Sequence, residues 1–331
     1  MNLLVMRLTS YRFIALLTVL WLLASCAPKN NIQVSSYADL ASCHQINVLA
    51  SKKTALQPIH EITIDSILSK KFSFRSLNVA NAFGFLPLLL QYEKIKTAPV
   101  ASDDIQNRLK RMEMAMQLSE NIDLASLEIS SFASELDCEE ERITQVADFL
   151  KGKEKQRETR LTVAAIGVGA IGGVASGILS TRDGAGNSGD YLGIATGITE
   201  AILGVLILKN SKKTELLHPR NALRDIWYGQ PVSDIYPSSV WYYLNYEHPQ
   251  KPEELSLREK IIESWKSFNQ VDMKELDRFE KLYLKDKGLY DTEALYNRAK
   301  MYDQIESYVK MIKQDLTTLS YELALQGEAL Q

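Results

Sequence analysis

Apolar residues recur every three or four positions along most of this chain, and in two stretches polar residues almost vanish. Between Ser102 and Lys155 there is no proline, and glycine occurs only at Gly152. Ser102-Asp103-Asp104 suits a helix start, because a side-chain oxygen caps free backbone N–H groups and carboxylates favour the positive end of the helix dipole. Apolar side chains then recur at Ile105, Leu109, Met112 and Met116, and further on at Ile122, Ile129, Phe132, Leu136, Ile143, Val146 and Leu150. Steps of three, four and seven predict one helix with one register break, its apolar stripe turned to a core. At about 1.5 Å per residue it would reach about 80 Å, a stalk that can run straight into the apolar stretch beginning at Leu161. From Asp291 to Gln326, Leu295, Ala299, Tyr302, Ile305, Val309, Ile312, Leu316, Leu319 and Leu323 keep the same spacing and predict a second long helix. Ser256 with Glu259 forms a capping box ahead of Ile261, Ile262 and Trp265. A further helix is expected over 272–285, and two or three short ones over 36–96, interrupted at Pro58 and Pro87. No sustained period-two alternation is present. The fold class expected is all-α: a helical bundle with long amphipathic helices and a glycine-rich apolar helical hairpin.

That hairpin is the segment 161–208. Leu161 to Ser180 carries no charge in 20 residues, and Tyr191 to Leu208 carries one, Glu200, in 18. Each arm has about the length a helix needs to cross a bilayer. Between them Thr181 to Asp190 has turn composition. Ala165, Gly169, Gly173 and Gly177 recur every four residues, as do Gly189, Gly193, Gly197 and Ala201. On helices these form strips of small side chains that let backbones approach closely. The segment resembles the glycine-zipper hairpins of some bacterial envelope lipoproteins, and the resemblance implies packing of the arms on each other or on copies in neighbouring chains. Gly167 to Gly172 spells GxGxxG, but with no preceding strand, no later acidic partner and no GK[ST] it does not point to a nucleotide.

Basic residues flank both ends: Lys151, Lys153, Lys155, Arg157 and Arg160 before, Lys209, Lys212 and Lys213 after. In an exported chain, insertion into the inner membrane would place these flanks outside, against the positive-inside tendency. Three readings stand open: a close-packed assembly that inserts into a membrane, docking into a partner's membrane domain, or an apolar hairpin buried within the fold. Glu200 is costly against lipid and is expected at a helix contact or in water.

The amino terminus is the other apolar stretch. Arg7 and Arg12 precede the uncharged run Phe13 to Leu22, which leads into Leu23-Ala24-Ser25-Cys26. A positive start and a short apolar core make a secretory signal, too short to span a bilayer stably. The four closing residues resemble the lipobox of bacterial lipoproteins. The resemblance implies removal of 1–25, lipidation of Cys26 (palmitate among the acyl chains) and a mature chain of 26–331, membrane-bound through that anchor. Ala27 stands after the cysteine instead of aspartate, and no acidic pair comes next. In enterobacteria-like sorting this implies the outer membrane, with the protein facing the periplasm. In that oxidising compartment Cys43 and Cys138, the two remaining cysteines, are expected to form a disulfide.

Composition narrows the function by exclusion. A net charge of −3 over 331 residues offers no cationic field for nucleic acid. His44, His60, His218 and His248 show no metal-ligand spacing. HExxH, GxSxG and Cys-His signatures are missing, so no metal, cofactor, nucleotide or catalytic residue is expected and the chain does not read as an enzyme. Glu139-Glu140-Glu141 reads as a solvated charge run. Residues 209–252 form an irregular aromatic segment with two readings. Trp227, Tyr228, Tyr236, Trp241 and Tyr242 suit a recognition surface, for instance for glycan, or they lock a loop on the bundle. The organisation expected is a signal at 1–25, a tether with short helices at 26–100, the long helix at 101–160, the hairpin at 161–208, the aromatic segment at 209–252 and terminal helices at 253–331. The function expected is a non-enzymatic envelope scaffold, a homo-oligomer or a component of an envelope complex such as a secretion or transport machine. The alternatives are a membrane-inserting, pore-like protein and a peptidoglycan-binding or hydrolytic protein.

Overall fold

The computed structural model describes residues 43, 55–97, 105–181, 188–208, 211–249, 251 and 253–328. The chain divides into Met1–Gln33, wholly outside those residues, and Val34–Gln331, which contains all of them. The signal sequence and Cys26 therefore lie outside the described residues.

The described residues form an all-α protein with one two-stranded sheet. Three short helices come first: α1 (Ser66–Lys71), α2 (Phe74–Ala82) and α3 (Leu86–Thr97). The long α4 (Ile105–Ser180) and α5 (Ser188–Leu208) come next, then β1 (Lys213–Leu217), α6 (Ala222–Tyr228) and α7 (Ser238–Asn245). The chain closes with α8 (Leu257–Ser267), α9 (Leu276–Tyr283), β2 (Lys287–Asp291) and α10 (Thr292–Glu328). Both prolines expected to interrupt helices stand at helix starts. Pro58 caps the 3-10 turn Ile59–Glu61, and Pro87 sits in the first turn of α3, where its missing N–H leaves nothing unpaired. Ser256 accepts from the Glu259 N–H at 3.3 Å while the Glu259 carboxylate accepts from Ser256 N at 2.9 Å, which completes the capping box that opens α8.

The core lies along the antiparallel pair α4 and α10. Ile129, Phe132, Leu136, Ile143, Val146 and Leu150 are buried on α4, facing Leu295, Tyr302, Ile305, Val309, Ile312 and Leu316 on α10. Both stripes keep the spacing read from the sequence. The first part of the α4 stripe does not: Ile105, Leu109, Met112 and Met116 are between 60 and 75% exposed, and Met114 and Leu118 are buried in their place. Residues two apart on a helix lie about 200° apart, so these stripes face opposite ways. The buried stripe runs from Met114 and Leu118 through Ala125 to Ile129 in steps of four and seven, so one side of α4 faces the core throughout and the break belongs to the exposed apolar stripe.

β1 and β2 pair antiparallel, with Glu215 opposite Leu289. The apolar spacing does not predict them. Each is five residues long, and only Thr214 and Leu216 point inward on β1. Gly288 is required by close approach, because a Cβ there would lie 2.7 Å from the Leu282 carbonyl oxygen and 2.6 Å from the Tyr290 ring.

At the foot of this ribbon Arg298 is fully buried. Its guanidinium donates to the Tyr283 carbonyl at 2.9 Å, Asn221 Oδ1 at 3.1 Å, Tyr290 Oη at 3.3 Å and Tyr302 Oη at 3.4 Å. His218 beside it donates through Nδ1 to the Leu216 carbonyl at 3.1 Å. Burial, and then the Arg298 charge, push its imidazole down to about 2, so it is neutral at any physiological pH. Cys43 and Cys138 are joined by a disulfide with Cα atoms 5.6 Å apart, on the solvent side of α4. The neighbouring carboxylates Glu139, Glu140 and Glu141 each hydrogen-bond within α4, to Arg142, Thr144 and Gln145.

Candidate functional site

The aromatic segment folds inward. Tyr236, Trp241 and Tyr242 are buried, Trp227 is half-buried with its ring 5.0 Å from Phe279, and Tyr228 alone of the five is exposed, at 49%. The polar ends of the three buried residues are consumed by the fold. Tyr236 Oη donates to the Ala222 carbonyl at 3.2 Å and Trp241 Nε1 to the Gln230 carbonyl at 2.9 Å. Tyr242 Oη donates to Asn78 Oδ1 at 2.7 Å and accepts from Ile59 N at 3.1 Å. Of the two readings of Trp227, Tyr228, Tyr236, Trp241 and Tyr242, the recognition surface is therefore corrected for Tyr236, Trp241 and Tyr242, which form a core cluster that ties α6 and α7 to the first helices, while Trp227 packs on Phe279 and Tyr228 stays exposed. Trp227 and Tyr228 lie in α6 and Trp241 and Tyr242 in α7, while Tyr236 lies in the irregular stretch between them.

A cleft of about 380 Å³ opens between α2, α8 and α10. Both lysines and Asp315 are engaged there: Lys251 and Lys260 lie 3.6 and 3.7 Å from Glu254, and Tyr243 donates to Asp315. No chemistry converges there.

The feature that stands apart is the hairpin. α4 runs without a break from the core into the apolar stretch, and α5 returns antiparallel along it. Only 6% of the apolar window of α4, and none of that of α5, is buried. The reading of a hairpin packed within the fold does not hold, because no other element among the described residues covers it. Ile171, Val174 and Ile178 on α4 are 61–74% exposed, as Ile194, Ile198 and Ile202 on α5 are 55–61% exposed. At about 1.5 Å per residue the 20 residues from Leu161 to Ser180 span about 30 Å, the thickness of a bilayer hydrocarbon core.

The arms meet along a seam that only partly matches the four-residue strips. A Cβ on Gly172 would lie 2.0 Å from Thr196 Cγ2, one on Gly169 2.1 Å from Glu200 Oε1, and one on Gly189 3.0 Å from the Ser176 carbonyl oxygen. Gly173, Gly177, Gly193 and Gly197 have nothing within 4 Å, Ala165 is half-buried and Ala201 is exposed. A four-residue step turns about 40° past a full helical circle, so a strict strip spirals away from a straight partner. The seam alternates three and four instead, through Ala165, Gly169, Gly172 and Ser176. Glu200 lies against Gly169, the helix contact expected of it.

Gly173 stands about 100° round α4 from Gly172, and Gly197 about 100° round α5 from Thr196. Because the arms are antiparallel, both rotations turn toward the same side of the hairpin. One side is therefore lined by Gly173, Gly177, Gly193 and Gly197, and the opposite side by branched and aromatic side chains such as Ile171, Tyr191 and Ile198. No family model, curated protein or solved structure matches this chain. The site has to be read from its own geometry.

The two kinds of glycine separate in a test. Gly172→Leu is expected to part the arms, and Gly173→Leu to leave them paired while lowering oligomer size. Crosslinking between cysteines placed at Ser180 and Gly189 reads the pairing, and light scattering in detergent reads the assembly. An unchanged oligomer in Gly173→Leu counts against assembly through the glycine-lined side.

Proposed function

We propose that this chain is a non-enzymatic, membrane-anchored envelope protein that works as a scaffold. In this reading the lipid on Cys26 tethers it, hairpin 161–208 enters a bilayer and associates with its copies or with an envelope partner, and the helical domain stands beside the membrane. The reading places it as an outer-membrane lipoprotein of a Gram-negative bacterium, facing the periplasm. The observation that carries the membrane role is the exposure of both apolar arms over a length of about 30 Å. Water-exposed apolar surface on this scale marks an interaction or membrane site.

A pore-like version is favoured by one detail. Glu200 sits at the edge of the seam next to the glycine-lined side, so an assembly through that side would hold its carboxylate away from lipid and close to a shared centre. Dye release from vesicles separates a water-filled assembly from a closed one.

The test of the membrane reading is alkaline carbonate extraction of a Cys26→Ser variant that keeps a cleavable signal. Membrane retention without the lipid, lost on deleting 161–208, is the expected result. A variant that washes off as a soluble monomer removes the hairpin as a membrane element and leaves the lipid as the only anchor.

A further inference from the structure

Glu154 is the last point at which the helical domain grips α4. Its carboxylate accepts from Lys212 N at 2.7 Å and from Thr292 Oγ1 at 2.9 Å, which fastens the returning chain and the start of α10 to one turn of α4. One turn earlier Lys151 lies 5.4 Å from the Tyr296 ring. Beyond Glu154 the side chains from Lys155 to Arg160 are all exposed.

That exposed stretch is basic on several sides. Lys155, Arg157 and Arg160 stand against a single carboxylate, Glu158. Successive helix residues turn about 100°, so Lys155 projects to one side while Arg157 and Arg160 project to the other. The three form a collar, not a stripe.

The apolar boundary lies immediately past the collar, and it is level on both arms. Gly172 meets Thr196 and Gly169 meets Glu200. Continued to the base of the hairpin, that register sets Leu208, the last residue of α5, beside Arg160 and Leu161. From Glu154 to Leu161 the axis advances about 10 Å. The polar headgroup layer of one leaflet is roughly 5–8 Å deep. The collar therefore falls at headgroup depth when the hairpin fills the hydrocarbon layer, and the Glu154 clamp holds the folded domain just outside it.

We propose that Lys155, Arg157 and Arg160 form a binding collar for anionic phospholipid headgroups, which selects the membrane surface the hairpin enters and fixes how far the domain stands from it. The proposal rests on the membrane reading of the hairpin. The chemistry is that of guanidinium and ammonium groups on phosphate, with the two arginines able to engage two oxygens each. Lipid phosphate is favoured over an acidic protein because the charges stand on opposite sides of the helix within about 8 Å of axis, the depth of one headgroup layer, next to an apolar surface.

The test uses the exported full chain carrying Cys26→Ser, diluted from detergent onto vesicles of phosphatidylcholine alone or with about one third phosphatidylglycerol, with capture read by flotation over time. Each basic group near an anionic surface is expected to contribute about fivefold, so Lys155→Gln, Arg157→Gln and Arg160→Gln together should slow capture by the anionic vesicles on the order of 100-fold at low salt. The same triple variant should be captured by neutral vesicles as the parent is, and its helical circular dichroism should be unchanged because all three side chains are exposed. Equal capture by both vesicle types, unaffected by the triple variant, overturns the collar while leaving the hairpin as a membrane element; the basic groups would then be assigned to a protein partner. Failure of the parent to float with either vesicle removes the membrane reading itself, and the collar with it.

Discussion

Replacing Cys43 and Cys138 with serine is expected to lower the stability of the oxidised protein by about 4–5 kcal/mol in the chain-entropy model. The bridge closes a loop of 95 residues, and its effect falls mainly on the unfolded chain, which loses conformations when the loop is closed. The folded side supports that origin. Cys138 is on the solvent side of α4 and Cys43 is half-exposed, so neither cysteine is a core position. Urea denaturation with and without reductant measures the change. The midpoint should fall and the slope should rise, because a chain without the cross-link exposes more surface when it unfolds. An unchanged midpoint under reductant would show that the segment around Cys43 is held by contacts other than the bridge.

Arg298→Ala is expected to cost about 3–5 kcal/mol, through two losses that add. The first is hydrogen bonding: buried Asn221 Oδ1 would lose its Arg298 donor, while the Tyr283 carbonyl would lose one donor and keep Asn221 Nδ2 at 2.7 Å. Leaving a buried acceptor unpaired costs roughly 1–3 kcal/mol. The second is packing. The guanidinium lies 5.4 Å from the Tyr302 ring centre and 5.9 Å from that of Tyr290, so its removal leaves a side-chain-sized void between them. Arg298→Lys should lose somewhat less, because an ammonium keeps the charge but cannot reproduce the fork that spans Tyr283 and Asn221. His218 does not compensate, since it is neutral in the fold. Thermal or urea unfolding ranks the three proteins. A loss below about 1 kcal/mol for Arg298→Ala would mean that the cluster contributes specificity of packing and little stability.

These two sites were unequally legible. The disulfide is expected from two cysteines and an export signal, because pairing in an oxidising compartment needs little more than their number. Arg298 carried no signal at all, since its partners Asn221, Tyr283, Tyr290 and Tyr302 are scattered over helices, a cap and a strand, and a buried arginine looks like any other arginine in a polar helix face. The aromatic segment has two readings for a related reason. Trp241 and Tyr242 suit an interface and a core equally well, and what decides is whether another element supplies partners for the indole N–H and phenol O–H. Gln230, earlier in the same segment, and Asn78, on α2, do so.

The sequence by itself determined what is local. The helical period set α4 and α10, the capping box set the start of α8, and the charge-free run from Leu161 to Ser180 set the extent of the first apolar arm. Each of these depends on residues within a few turns of one another. The tertiary structure decided which surfaces are covered. It turned Met114 and Leu118 inward and left Ile105, Leu109, Met112 and Met116 outside, paired β1 with β2 across some seventy intervening residues, and used Gly169, Gly172 and Gly189 between the arms while leaving Gly173, Gly177, Gly193 and Gly197 open. A stripe of apolar or small residues specifies a face that wants a partner, and periodicity carries no information on which partner arrives. That choice is made by packing between segments distant in the chain, and for the hairpin no segment of the described domain makes it.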